Sequence, residues 1–207
     1  LIEQVKGSDP IATRDRAMLE LMYASGLRVS EVINLEVSDI DFDDGILRTR
    51  GKGNKERIVP VGRQALLSIR IYLRSGRRAL TKDRPQRYLF VNFRGGQLTR
   101  QGLYKIVRKY AALAGLADRM SPHTLRHTFA TLALMAGANP STIARQLGRI
   151  NANMPFRVYS KWIDGADKSR ERDKLNVGFG HDLATEMIAE AKKFAQSNTY
   201  LAETQGF

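Results

Sequence analysis

The chain has 207 residues, 34 Lys and Arg against 21 Asp and Glu, a formal net charge of +13, and no cysteine. This length can bury a substantial core, and the lack of cysteine excludes disulfides, cysteine-ligated metals and thiol nucleophiles. No apolar run approaches the ~20 residues that a membrane span needs, and the charged first ten residues do not form a signal peptide. We therefore expect a globular cytoplasmic protein with no membrane partner.

The basic residues are concentrated in the middle of the chain. Residues 1–47 carry a net charge of −6, residues 48–109 carry +16, and residues 110–207 carry +3. So large an excess in one segment predicts a strongly positive surface that attracts polyanions. A solvated face is the alternative, but the distribution over several elements favours nucleic acid as the partner.

The first third of the chain changes from a helical to a strand pattern. Ala17, Met18, Leu21 and Met22 recur at helical spacing, which predicts a helix over 13–24 that ends at Gly26. A second short helix is predicted over 30–35. Residues 37–59 then read as three short antiparallel strands, because apolar residues alternate with turns at 43–45 and 51–54.

The rest of the chain is predicted to be mainly helical. Thr99 is a plausible N-cap and Pro122 stands where a helix would begin. The helices predicted beyond the strands span 64–73, 99–114, 122–135, 140–147 and 155–162, with a short extended piece at 88–91. The fold class expected is mostly α with a small three-stranded antiparallel sheet, an α+β architecture.

The C-terminal segment differs in composition from the preceding chain. Residues 164–180 are rich in glycine and charge, which indicates a linker between a domain over 1–163 and a tail over 181–207. An amphipathic helix is predicted over 183–194. Its apolar stripe must pack either on its own protein or on a neighbouring protomer.

Acidic residues cluster next to the predicted strands. They are Glu36, Asp39, Asp41, Asp43 and Asp44. Such a group could hold a divalent metal for a nuclease. Because Asp43 and Asp44 precede Gly45 in a turn, we expect solvated hairpin acids and no metal site.

Four segments together carry a specific pattern. They are Ser25-Gly26-Leu27-Arg28-Val29-Ser30-Glu31, Gly51-Lys52-Gly53-Asn54-Lys55-Glu56-Arg57, Ser121-Pro122-His123-Thr124-Leu125-Arg126-His127, and residues 148–159, which end at a tyrosine. In order and spacing they resemble the tyrosine recombinase (phage integrase) family, near its Xer-like and mobile-element branches. The resemblance covers about residues 14–162.

The resemblance implies the catalytic-domain fold of that family and a site-specific DNA recombinase. Such enzymes cleave DNA with a tyrosine, form a 3′-phosphotyrosyl link, exchange strands and reseal without a cofactor. Chemistry of this kind needs a hydroxyl nucleophile, fixed cations for the phosphorane oxygens, and a proton for the leaving 5′-oxygen.

The resemblance assigns the cations and the proton donor. Arg28 and Arg126 would clamp the phosphate, although each could instead be a surface arginine on a helix. Lys52 would be the general acid, with Lys55 as a rival and a solvated hairpin lysine as the alternative. Arginine suits the clamp because its planar fork meets phosphate in a bidentate manner.

Two further residues of the site lie close to these arginines in sequence. His123 precedes Arg126 by three residues, so both would lie on one helix face; in the family this histidine bonds the phosphate and assists proton transfer. Glu31 resembles the acid that orients the family's histidine, but it could equally stabilise the start of its own helix. His127 is off that face, and we expect it to pack.

Tyr159 is the nucleophile that the resemblance implies, because it lies 33 residues after Arg126 in a Val-Tyr-Ser segment. One position departs from the family pattern. Arg149 follows Leu147-Gly148 where the family places His or Trp, a donor to the scissile phosphate. Arginine can donate as well, yet loss of such a donor costs about 10²–10³ in rate, so reduced activity is plausible.

The remaining predicted contacts position DNA. They involve Lys55, Arg57, Thr99, Arg100 and Gln101, and surface solubility is the competing explanation. The resemblance implies double-stranded DNA as partner, a tetrameric synapse, nucleoid association and a missing upstream domain that would complete a clamp. A DNA-binding relative with an impaired site and a type IB-like topoisomerase remain alternatives.

Overall fold

A computed structural model of the chain describes residues 1–50, 56–117 and 119–148. The chain divides into two compact units, residues 1–129 and residues 130–207. Strands β1 (Ile40–Asp41), β2 (Ile46–Arg50) and β3 (Glu56–Pro60) form one antiparallel sheet in that order. The helices are α1 (Pro10–Ser25), α2 (Val29–Asn34), α3 (Arg63–Ile71), α4 (Arg78–Thr81), α5 (Arg100–Leu113), α6 (Pro122–Met135) and α7 (Pro140–Gln146). The predicted fold class, mostly α with a small three-stranded antiparallel sheet, is confirmed.

Helix α1 has well-defined ends that its sequence explains. The carboxylate of Asp9 accepts hydrogen bonds from the N–H groups of Ile11 and Ala12, at 2.9 and 3.0 Å, and Pro10 occupies the first turn. Gly26 ends the helix with φ of 60°, a left-handed conformation that a side chain would strain. The helix is therefore longer at its start than the predicted 13–24 and ends where expected.

Helix α1 supplies much of the core of the first unit. The side chains predicted to face inward, Ala17, Met18, Leu21 and Met22, are all buried. The core continues through residues from α2, the sheet, α3 and α5, namely Val32, Leu47, Val59, Ile69, Leu103 and Val107. Burial of these side chains holds the turn between α1 and α2 in a defined place, since both helices are anchored in the same core.

The three strands pair in antiparallel fashion as predicted, but the first begins at residue 40 and not 37, because Val37–Asp39 form a 3₁₀ turn. Leu47 of β2 lies opposite Val59 of β3, and Thr49 lies opposite Arg57. Leu47, Thr49 and Val59 are buried, while Ile58 between Arg57 and Val59 is exposed. Because successive strand residues point to opposite faces, Arg57 shares the inward face of β3 with Val59.

The helix that begins at Arg63 is longer than predicted. The sequence predicted its end near residue 73, but α3 continues through a π-helical segment, Tyr72–Arg77, into α4. Gly76 of this segment lies against α1, where a Cβ would meet the hydroxyl of Thr13 and lie 3.1 Å from the carbonyl oxygen of Pro10. The helix continues past residue 73 because glycine at this position allows close packing against α1, a contact between distant parts of the chain.

The later helices agree with the sequence pattern. Thr99 caps α5 by accepting a hydrogen bond from the N–H of Gly102 at 3.0 Å, and Asn139 caps α7 through the N–H of Ser141 at 2.8 Å. None of the described helices has the length and apolar character that crossing a bilayer would require. The helix over 155–162, the domain boundary at 163/164, the linker 164–180 and the tail 181–207 lie outside the described residues and stay predictions.

Candidate active site

The turn between α1 and α2 carries the first residues of the candidate site. After Gly26 reverses the chain, Arg28 adopts an extended conformation as the N-cap of α2. Glu31, in the first turn of α2, accepts a hydrogen bond from the N–H of Arg28 at 2.7 Å. A carboxylate at this position satisfies an unpaired N–H of the helix start, which fixes the backbone of Arg28.

Arg126 reaches the same turn from α6. Its guanidinium nitrogen Nη1 donates to the carbonyl oxygen of Gly26 at 2.6 Å, although the two residues lie 100 positions apart. The Arg126 side chain is buried, so the alternative of a solvated arginine on a helix surface is wrong. Folding thus brings Arg126 to the turn that carries Arg28, as a two-arginine phosphate site requires.

A buried carboxylate holds Arg28 together with another arginine. The side chain of Glu31 is only 2% exposed. Its Oε1 accepts from Nη1 of Arg28 at 3.0 Å and from Nη1 of Arg57 at 2.8 Å, and its Oε2 accepts from Nη2 of Arg57 at 2.7 Å. The contact with Arg57 is therefore bidentate, and the contact with the Arg28 guanidinium involves one nitrogen.

The electrostatics of this cluster favour an ionised Glu31. Burial by itself would raise the pKa of the carboxyl. The hydrogen bonds from the Arg57 side chain and the Arg28 N–H, with the positive charges of both residues, outweigh burial and lower the pKa below its ordinary value. Three arginines and one carboxylate at this turn leave an excess of positive charge, which suits a phosphate.

His123 stands one helical turn before Arg126 in α6. It is exposed, whereas Arg126 is buried, so the imidazole lies at the surface end of the helix face that leads to the arginine. His127 is also exposed, and the expectation that it packs in the interior is wrong. The carboxylate of Glu31 holds two arginines, and its expected action on a histidine stays a prediction.

Four of the residues predicted for the site lie outside the described residues. They are Lys52, Lys55, Arg149 and Tyr159. The roles of general acid, rival lysine, phosphate donor and nucleophile therefore stay predictions. The strands β2 and β3, which precede and follow residues 51–55 in the chain, are described, and Arg57 of β3 binds Glu31.

The residues predicted to position DNA differ in their surroundings. Thr99, Arg100 and Gln101 are exposed at the start of α5, although the Thr99 oxygen already caps that helix. Arg57 is instead largely enclosed, with 12% of its side chain exposed. Its predicted contact with DNA is therefore less well supported than its structural contact with Glu31.

The strong charge of residues 48–109 is mostly displayed at the surface. Exposed arginines and lysines occur on β2, on the helical stretch from Arg63 to Thr81 and just after it, and on α5. They include Arg48, Arg50, Arg63, Arg70, Arg74, Arg78, Lys82, Arg84, Arg100, Lys105, Arg108 and Lys109. The charge of this segment is thus exposed among the described residues, and its gathering into one positive surface stays a prediction.

The acidic residues near the strands behave as turn formers. Asp41 accepts hydrogen bonds from the N–H groups of Asp43 and Asp44, both at 3.0 Å, and Asp39 accepts from the N–H of Glu36 at 2.8 Å. The two N–H donors of the turn lower the pKa of Asp41. Within the described ranges, no three His, Asp or Glu side chains gather as metal ligands would.

Comparison with known proteins places this geometry in a family. A model described as the phage integrase family matches residues 1–163. The chain belongs to the phage integrase family. The resemblance drawn from the four sequence segments is thereby confirmed.

Curated relatives of this chain are tyrosine recombinases. This chain is 40% identical over 173 residues to tyrosine recombinase XerD of Halalkalibacterium halodurans. The matched region covers 84% of this chain and 56% of that protein. The chain is 45% identical over 141 residues to XerD of Proteus mirabilis, which covers 68% of this chain and 45% of that protein. The chain thus spans about half the length of the relatives it matches.

Solved structures agree with the fold. XerA recombinase matches with a TM-score of 0.67 and 27% identity over 86% of this chain and 62% of that one. XerH site-specific recombinase, bound to a palindromic difH substrate in a post-cleavage complex, matches with a TM-score of 0.67 and 26% identity over 85% of this chain and 49% of that one. The helices and small sheet around Arg28 and Arg126 are therefore a recombinase fold.

Proposed function

We propose that this chain is the catalytic part of a site-specific DNA recombinase that cleaves and rejoins double-stranded DNA through a 3′-phosphotyrosyl intermediate. The observation that carries the proposal is the convergence of Arg28 and Arg126 on one turn. Family membership and the XerD relatives support it. The exposed basic residues of 48–109 supply the attraction for DNA.

In the proposed reaction, the hydroxyl of Tyr159 attacks the scissile phosphorus and gives its proton to one ring nitrogen of neutral His123, while the bond from phosphorus to the 5′-oxygen breaks. Arg28 and Arg126 neutralise the non-bridging oxygens, whose negative charge increases in the transition state. His123 and Arg149 donate hydrogen bonds to the same phosphate. Lys52 gives its proton to the leaving 5′-oxygen, and the reverse steps reseal the strand.

Assembly is part of the same proposal. The resemblance to recombinases supports self-association on DNA, with four protomers in a synapse and the tail over 181–207 as a segment for exchange between neighbours. Location at the DNA of the cell follows from the same function. Because the relatives are longer, tests belong on the complete protein of the gene wherever that is longer than this chain.

The test is covalent capture on DNA. A nicked suicide substrate carrying the sequence that flanks the gene loses a short fragment after cleavage, so an active protein remains attached. We expect a covalent complex with the wild type, none with Tyr159→Phe, and a decrease in rate of about 10²–10³ with Arg126→Ala, because one fixed phosphate donor is removed. Arg149→His tests the one departure from the family pattern, and a large increase in rate would mean that Arg149 limits the enzyme.

Other results would overturn the proposal. Tight binding of the same DNA without capture by any variant would indicate a DNA-binding relative with an inactive site. Relaxation of supercoiled DNA regardless of sequence would indicate a topoisomerase. Capture that persists in Tyr159→Phe would assign the nucleophile to another residue.

A further inference from the structure

Glu31 is shared unequally by two arginines. It takes one guanidinium nitrogen and the backbone N–H of Arg28, but two guanidinium nitrogens of Arg57. The paired, parallel contact with Arg57 has the geometry that guanidinium and carboxylate groups favour most. Arg57 therefore fixes the plane of the carboxylate, and the carboxylate in turn fixes Arg28.

The two arginines also differ in their access to solvent. The Arg28 side chain is 38% exposed, whereas that of Arg57 is 12% exposed and comes from the inward face of β3. A phosphate can approach Arg28 much more readily than Arg57. Arg57 meets the carboxylate through both terminal nitrogens, which suits it to hold the site in shape, whereas Arg28 meets it through one and is better placed to contact the substrate.

Arg28 and Arg57 share the carboxylate of Glu31, so the contact of Arg57 limits how Arg28 can bind it. A carboxylate that lacks a second arginine can turn and bind the nearest guanidinium through both nitrogens, since that pair is stronger than a single hydrogen bond. In this protein Arg57 occupies the bidentate contact. Glu31 can then orient Arg28 without drawing its whole guanidinium away from a ligand.

We propose that Arg57 is a positioning residue for Arg28, acting through Glu31 and not through direct contact with DNA. The inference rests on the proposed function, because it requires Arg28 to contact the scissile phosphate. It replaces the expectation that Arg57 is one of several surface contacts with DNA. It also separates Arg57 from Arg50, which lies on β2 in an exposed pair with Glu56 at 2.9 Å.

The first experiment compares Arg57→Met with Arg50→Met as a matched control on the same hairpin. The readouts are the rate of covalent capture at saturating DNA and the Kd for DNA. We expect Arg57→Met to slow capture about 10- to 100-fold, because small displacements of a catalytic group have effects of this size, with little change in Kd. Arg57→Lys should recover part of the rate, since it restores the charge but not the fork. Arg50→Met should show the opposite pattern, a raised Kd, because it removes an exposed cation from the surface that attracts DNA.

The second experiment asks whether the effect passes through Arg28. A methylphosphonate at the scissile position replaces one non-bridging oxygen with a methyl group and removes the negative charge that Arg28 would neutralise. If Arg57 acts by placing Arg28, the rate decreases caused by Arg57→Met and by Arg28→Ala should both shrink on this substrate. The double variant should also be little slower than Arg28→Ala alone, because linked residues are not additive.

The outcomes separate the inference from the proposed function. If the wild type captures no DNA, the proposed function fails and the inference fails with it. If the wild type captures DNA and Arg57→Met has the same rate, only the inference fails. The inference would also be wrong if Arg57→Met slowed capture equally on the phosphate and the methylphosphonate substrates. It would be wrong if the rate decreases of Arg57→Met and Arg28→Ala multiplied in the double variant. A changed Kd for DNA with an unchanged capture rate in Arg57→Met would contradict it as well. Urea unfolding of each variant identifies a failure to fold, and Arg57→Lys then provides the comparison.

Discussion

At the scale of single residues, Glu31 is the most informative side chain of the described structure. Its carboxylate is enclosed, ionised and bonded to two arginines that arrive from α2 and β3. Removing one partner of a buried charged group leaves the other unpaired, which is costly. The residue therefore connects the stability of the first unit with the geometry of the candidate site.

The lowered pKa of Glu31 predicts a pH dependence of stability. Its ordinary pKa is 4.5, and the folded state holds it lower, so the unfolded chain binds the proton more tightly. The stabilisation is present above about pH 4.5 and is lost as the pH falls through the folded pKa. We expect Glu31→Gln to be less stable than the wild type at pH 7, with a difference that narrows towards pH 3 in urea unfolding.

Glu20 provides a control, because its pKa is shifted in the opposite direction from that of Glu31. Burial raises its pKa above 4.5 in the folded state, only partly offset by the charge of Arg16. Its ionisation therefore opposes folding as the pH rises, so Glu20→Gln should gain stability relative to the wild type between pH 3 and pH 7. A Glu31→Gln difference that is constant with pH would contradict the ionised, bonded state of Glu31.

At the scale of elements, α1 can pack against the helix that follows the sheet because the residue at the contact, Gly76, has no side chain. Gly76 sits in the π-helical segment where α1 approaches most closely, beside Thr13 and the Pro10 carbonyl. A π-helical turn widens the helix locally, and such turns are uncommon. This contact helps to fix the position of α1, which ends at the turn that carries Arg28.

Gly76→Ala is expected to destabilise the protein by roughly 1–3 kcal/mol, because the added methyl group overpacks the contact with the Thr13 hydroxyl and the Pro10 carbonyl. Ser75→Ala is the matched control, since Ser75 is exposed and bonds only the carbonyl of Ile71 in its own helix. The measurement is the midpoint of urea unfolding, compared between variants that share the same dependence of the unfolding free energy on urea concentration. Equal midpoints for the two variants would contradict the close packing of Gly76.

At the scale of the whole molecule, the uneven charge of the chain determines how it should bind DNA. Residues 48–109 carry a net charge of +16, more than the +13 of the whole chain, and their arginines and lysines are largely exposed in the described structure. Each phosphate neutralised by such a residue releases a counterion. Affinity should therefore fall steeply with salt, by a slope of roughly 0.9 per phosphate contact in a log–log plot.

If Arg100 contacts a phosphate as proposed, Arg100→Gln should reduce the magnitude of that slope by about 1, because it removes one exposed cation at the start of α5. Arg78→Gln removes the same charge from an exposed arginine paired with Asp83 at 3.0 Å and is the control. Binding to the flanking DNA is measured by fluorescence anisotropy across a series of salt concentrations. Identical slopes for both variants would mean that only the diffuse charge of the protein attracts DNA.

Local patterns were sufficient to predict most of the elements. The caps at Thr99 and Gly26, the proline at the start of α6 and the turn that ends at Gly45 all depend on short-range sterics and hydrogen bonds, which neighbouring residues determine. The extension of α3 through Gly76 was missed because a long-range contact, and not local preference, decides that position. Arg57 shares the inward face of β3 with Val59, a period-2 signal that could have predicted its burial.

By itself, the sequence determined the helix and strand pattern, the charge asymmetry and the family, because these depend on neighbouring residues and on motifs in a set order. Only the tertiary structure decided that Arg126 reaches the carbonyl of Gly26 and that Arg57 binds Glu31, across 100 and 26 positions of the chain. Contacts of this kind depend on how elements pack around a shared core, and periodicity along the chain carries no information about which distant side chains meet there.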